Sequence, residues 1–237
     1  SLSQTTVGNT DFFVGQLGDN RFQHGGYRLR SGIDFNLSDN DILGVKLSYG
    51  SRGFSRSGEN TFSEYTNNFS VPIISTSEAI SKRGGAYYNL GANYEHQFNG
   101  PTHRLAVDGS YSTRKSDEES TTEQFDINGK QISGKITTED GPTNRARLEV
   151  KYEQPFANDG KLEAGYQLRS GLSADESGLQ IWDTTAVDYV KVTSYDYDTE
   201  YKRNIQSLFG VLSTNIGKLG VQGGFRAEYT FRNIAVI

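Results

Sequence analysis

The 237-residue sequence has no cysteine and no methionine, only three histidines and four prolines, and no long apolar run. Without cysteine, disulfide scaffolds, zinc ribbons, thiol catalysis and thiolate-held clusters are excluded, and the redox compartment stays open. His24, His96 and His103 stand in unrelated surroundings, so no histidine-based metal site is expected. No stretch approaches the ~18 apolar residues of a transmembrane helix. An excess of basic charge is also missing: 24 Lys and Arg are interspersed with 29 Asp and Glu, for a net charge of −5. Nucleic acid is therefore not an expected partner. A chain without an initiator methionine is expected to be processed or part of something longer.

What is present is aromatic: 14 Tyr, 13 Phe and one Trp in a chain whose mean hydropathy is −0.64. Disordered chains are polar but poor in aromatics. The combination is explained if apolar residues occupy every second position, the period of a strand.

That alternation recurs. Tyr27, Leu29, Ser31, Ile33, Phe35 and Leu37 oppose Arg28, Arg30, Gly32, Asp34 and Asn36. Leu43, Val45, Leu47 and Tyr49 oppose Gly44, Lys46, Ser48 and Gly50. Further alternating segments lie at 86–98, 104–111, 145–153, 161–169 and 219–229, with an eighth strand around 202–215 and a weak ninth near 12–18. Short polar turns fall at 38–40, 99–100, 157–160 and 216–218, where Asn-Gly and Asp-Gly pairs supply positive φ. Their markers Asp39, Asn99, Asn158 and Gly217 are 60, 59 and 59 residues apart. Between them lie long polar stretches, about 55–82, 113–143 and 172–201, expected as loops. The repeating unit is thus short turn, long strand, long loop, long strand, within one domain over 1–237.

Short turns at one end and long connections at the other, joined by long alternating strands, predict an all-β, antiparallel up-and-down transmembrane β-barrel of eight or nine strands. Lipid offers backbone groups no water, so a spanning sheet must pair them all. A soluble β-sandwich shares the alternation. Its strands are usually five or six residues, however. In addition, Tyr49, Tyr94, Phe98, Tyr111 and Tyr152 sit near strand ends on the apolar face, where an interfacial girdle belongs.

The run from Gly26 to Phe35, with its polar turn and Leu43 to Tyr49, resembles TonB-dependent outer-membrane receptors, most nearly the barrel half of Bacteroidetes-type members. Gly160 to Tyr166 and Lys218 to Tyr229, with the Gly224-Phe225-Arg226-Ala227-Glu228-Tyr229 core, are similar to strands of the same family. The resemblance covers most strands and little of the connections. It implies nutrient uptake across the outer membrane of a Gram-negative cell, a plug domain, the TonB complex as partner and a surface lipoprotein as a further one. Members have a 22-strand barrel. No plug or TonB box is recognisable near Ser1, and residues 232–237 lack a terminal aromatic, so the chain is expected to be an internal fragment of a larger barrel. The alternatives are a small self-contained barrel acting as passive channel or anchor, and a soluble binding or adhesion module.

No catalytic constellation is recognisable, so no enzyme and no cofactor are expected. Residues 195–200, with Asp196, Asp198 and Glu200, read as a solvated ramp before a possible cation site, and Asp117, Glu118 and Glu119 read as a loop tip. The charged strand faces carry more information. Arg28, Arg30, Arg104, Arg145, Arg147, Arg169 and Arg226 share a side with Asp34, Asp108, Glu149, Glu153, Glu163 and Glu228. Their balanced signs predict cross-strand ladders. On the functional reading they face a plug or line a permeation path. Tyr65, Trp182, Tyr189, Tyr195 and Tyr197 are candidate ligand contacts in the long connections.

Overall fold

The computed structural model describes residues 2–7, 10–67, 69–100, 102–156 and 159–236. Period-two patterning is expressed as one antiparallel sheet. Its strands are β1 (Leu2–Val7), β2 (Thr10–Ser38), β3 (Asp41–Thr66), β4 (Phe69–Gln97), β5 (Arg104–Asp126), β6 (Gln131–Phe156), β7 (Gly160–Asp183), β8 (Asp188–Lys191), β9 (Tyr197–Ile216) and β10 (Leu219–Val236). Neighbours follow chain order, except that the four-residue β8 pairs only with β7, and β9 takes the next place along the sheet. Among the described residues the sheet does not close on itself. The fold is all-β and up-and-down, as expected from the alternation.

Three readings of the sequence are corrected. The weak ninth strand near 12–18 is not separate: it is the first part of β2, continuous with Tyr27–Leu37. The short β1 and β8 had not been anticipated. The long stretches 55–82, 113–143 and 172–201 are mostly strand, forming hairpin arms that turn at Thr66–Phe69, around 127–130, and through β8 and a short 3-10 turn at Thr193–Tyr195. Asp117, Glu118 and Glu119 consequently lie inside β5 and not at a tip. At the true tip, Asn128 and Lys130 each donate a backbone N–H to Asp126 Oδ1 at 2.9 Å. The Lys130 N–H, then that of Asn128, holds the Asp126 carboxyl below its usual range.

The register carries a stagger. One row crosses the sheet through Asp41, His96, Leu105, Tyr152, Ala164, Gly210 and Phe225. The first short turn abuts this row at Asp41. The second begins at Phe98, two residues beyond His96; the third at Phe156, four beyond Tyr152; the fourth at Ile216, six beyond Gly210. Each hairpin thus slides by two residues, or one per strand. With ~3.3 Å per residue and ~4.8 Å between strands, level turns require a strand tilt of about 35°. Membrane barrels tilt by that amount.

Directly opposed residues point to the same side, so register also sorts the faces. Leu29, Tyr49 and Tyr88 share one row, and Ile33, Val45, Ala92, Gly109, Leu148 and Leu168 another. Among the described residues nothing packs over this face. The only buried hydrophobic ones among them are Leu179 and Ile205, while Leu29, Ile33, Leu47, Leu90, Leu148 and Phe225 are all exposed. A sandwich would cover them with a second sheet, and a soluble chain rarely presents so large an apolar patch. Two aromatic belts bound the face. Toward the arms, Tyr27 donates to the Tyr49 hydroxyl at 3.0 Å and Tyr49 stacks on Tyr88 at 4.7 Å. Toward the short turns, Phe98 meets His96 at 4.4 Å, His103 at 4.6 Å and Tyr152 at 6.1 Å. His96 and His103 are thus girdle and turn residues, bonded to Asp41 and Tyr152.

Beyond the apolar band the ladder breaks twice at one height, at Gly85 between Gly84 and Tyr87, and at Gly141 between Asp140 and Thr143. A Cβ at Gly85 would meet the Lys115 carbonyl oxygen, and one at Gly141 the Ala174 carbonyl oxygen. Only glycine lets the strands approach there, where the arms leave the band. Gly141→Val is expected to cost about 1–3 kcal/mol. Hydrogen exchange should then show faster amides in the β6 and β7 arms, with those around Leu148 unchanged.

Candidate functional site

The second face of the sheet carries the charge. Every predicted member falls on it by register: Arg28, Arg30, Asp34, Arg104, Asp108, Arg145, Arg147, Glu149, Arg169, Arg226 and Glu228 alternate with the apolar rows. The expectation of balanced signs is not met locally, because the charges are layered by height.

Nearest the short turns the layer is acidic and paired. Asp34, Asp108, Glu149 and Glu228 share a row, and Glu95, Glu153 and Glu163 lie below it. Glu153, 3% exposed, is the hub of this layer. Arg104 donates to it at 3.0 Å, Lys151 lies 2.8 Å away and Lys161 3.0 Å away. Arg104 also reaches Glu95 at 3.6 Å, and Lys161 pairs with Glu163. Higher up, Arg226 bonds Ser207 at 2.9 Å and Glu228 at 3.3 Å, while Arg169 reaches Glu228 at 3.4 Å. Here the expected ladders are real.

Toward the arms the layer turns basic. One row reads Gly32, Lys46, Gly91, Ser110, Arg147, Arg169 and Ile205; the next Arg30, Ser48, Asn89, Ser112, Arg145, Gly171, Arg203 and Arg232; the third Arg28, Gly50, Tyr87, Arg114, Thr143, Ser173 and Tyr201. None of these positions is acidic. Sequence reasoning placed Lys46 on this face but missed Arg52, Arg114, Arg203 and Arg232. Continuing the parity of Arg28 and Arg30 through each hairpin would have found them. A cleft of about 630 Å³ opens over the belt, lined by Arg28, Arg52, Arg114, Arg145, Tyr87 and Asn89 among others. The Arg28 guanidinium lies 6.0 Å from the Tyr87 ring centroid.

The aromatic candidates are not brought together in a single site. Tyr65 stacks on Phe13 at 5.0 Å near the end of the β3 arm. Trp182 and Tyr189 meet edge to face at 5.3 Å on the β7–β8 hairpin, and Tyr189 donates to Glu123 at 2.8 Å. Burial, and next the Glu123 carboxylate, raise the Tyr189 hydroxyl above its ordinary pKa. Tyr195 and Tyr197 line another cleft with Lys135 and Glu139. Asp196 is tied to Lys191 at 2.7 Å, and among the described residues no three metal-binding side chains gather.

A tilted sheet with an uncovered apolar face, two aromatic belts and a charged opposite face defines the wall of a membrane-spanning β-barrel. The model of the outer membrane protein beta-barrel family matches residues 96–236, more than half the chain, and the protein belongs to that family and resides in the outer membrane. No curated protein matches it.

Proposed function

We propose that the chain is barrel wall of a TonB-dependent receptor, taking up a scarce nutrient through the outer membrane. The observation that carries this reading is the charged, open face backed by a tilted apolar one. A passive wall needs paired charges only, whereas this face adds to a paired acidic layer a basic belt in which Arg28, Arg30, Arg52, Arg114, Arg145, Arg203 and Arg232 make no ion pair among the described residues. The open sheet with one-residue stagger suits a section of a larger barrel, and the strand sequences resemble those receptors. Short turns then point to the periplasm, while the hairpin arms, which run well past the ~9–11 residues needed to span, stand outside the cell. A plug, the TonB complex and a surface lipoprotein are the partners this reading implies.

The test is the intact mass of the parent polypeptide extracted from outer membranes in detergent. A mass several times 26.2 kDa supports a large receptor. A mass near that value favours a small self-contained channel or anchor and overturns the receptor.

A further inference from the structure

The basic belt has no internal explanation. Among the described residues, no ion pair reaches Arg28, Arg30, Arg52, Arg114, Arg145, Arg203 or Arg232, although the layer below pairs repeatedly through Arg104, Lys151, Lys161 and Arg226. Register makes matters worse. Arg203 directly opposes Arg232 with no carboxylate paired to either among the described residues, and Arg147 directly opposes Arg169, each of these two held by a carboxylate, Glu149 and Glu228. Like charges placed opposite each other destabilise a sheet. Arg114 also shares clefts with Arg28, Arg52, Arg83 and Arg145. Repulsion of this kind is relieved by an anion spanning several guanidiniums, each offering a planar fork of donors matched to an oxyanion.

The surroundings suit such a ligand. Small residues flank the arginines: Gly50 opposes Arg28, Ser48 opposes Arg30, and Gly26 opposes Arg52. They keep the cleft over the wall open. Asn89, Ser112, Thr143 and the Tyr87 hydroxyl add neutral donors around it. Among the described residues no carboxylate lines this cleft to compete for the cations.

We propose that the belt formed by Arg28, Arg52, Arg114 and Arg145 is a binding site for a small multiply charged oxyanion, a molecule carrying two or more phosphate or carboxylate groups. The inference rests on the transport reading only in treating that anion as cargo.

The experiment is titration calorimetry of the full-length protein in detergent with pyrophosphate and, separately, citrate, at constant ionic strength. Saturable binding is expected for at least one of them. The double variant Arg52→Gln, Arg114→Gln should weaken it by at least tenfold. Arg104→Gln, in the paired layer, should leave it within about twofold, and heat-shifted mobility on gels reports that each variant is folded. Binding equal in both variants overturns the proposal. Absence of saturable binding to the wild type also overturns it, as expected if an acidic protein segment occupies the belt. The two readings fail separately. Binding without uptake dependent on the TonB complex leaves the site and removes the transporter; TonB-dependent uptake unaffected by the double variant does the reverse.

Discussion

Leu148→Arg is expected to destabilise the membrane-inserted protein by about 2–4 kcal/mol, the cost of a basic side chain at mid-depth on the lipid side of a barrel. Leu148 lies opposite Gly109 on one side and Leu168 on the other, within the uncovered apolar rows. It is 37% exposed, with no second layer of described residues over it, as a lipid-facing position requires. The neighbouring change Arg147→Leu should cost far less. Arg147 points to the other face, bonds only Glu149 and stands directly opposite Arg169, so its loss also removes a repulsion. Urea titration of protein folded into vesicles checks the pair. Equal costs for the two substitutions would contradict the facing derived from the register.

The second large effect is expected at Glu153. Three cations converge on this carboxylate, whose side chain is 5% exposed, while theirs are 33–37% exposed. Breaking a buried pair by removing one partner typically costs about 3–5 kcal/mol. Because Arg104, Lys151 and Lys161 each still reach water, the expected cost of Glu153→Gln is nearer 2–3 kcal/mol. Glu163→Gln should cost clearly less: Glu163 is more exposed, with Lys161 as its close partner and Lys151 at 3.9 Å. The same titration separates them. If the two changes cost the same, the network is not centred on Glu153.

How much of this was legible in the sequence follows from what each face touches. Between Tyr27 and Leu37 or Ala146 and Tyr152, one side meets lipid and the other water, and the sequence alternates accordingly. Seven of the eight long strands are legible from such stretches, and β9, around 202–215, reads as apolar without a clear phase. Beyond the band both faces of an arm meet water, so Ser55, Arg56, Ser57, Gly58, Glu59 and Asn60 are polar without a period. Pairing alone holds that part of β3 in strand, against Gly18–Gln23 on one side and Ser77–Lys82 on the other. Nothing local distinguishes it from a loop. The charge layering was hidden for a different reason. A single strand contributes only a few charges to each layer, as β6 does with Arg145 and Arg147 in one and Glu149, Lys151 and Glu153 in the other. Only when stagger brings eight strands into register do the arginines align into a belt and the carboxylates into a paired layer. The count of charges was readable, and their height was not.

The claim at the centre of this account is that β6 spans the membrane with Leu148 toward lipid and Arg147 away from it. Single spin-labelled cysteines are placed at each position from 145 to 152, and residues 1–237 contribute no native cysteine as background. In outer membranes, labels at 146, 148, 150 and 152 should collide preferentially with oxygen, which concentrates in lipid. Labels at 145, 147, 149 and 151 should not, and where water reaches the inner face they should collide with a water-soluble nickel chelate. A period of two in that phase is the expected result. Uniform accessibility along the segment, or the opposite phase, would contradict the barrel wall described here.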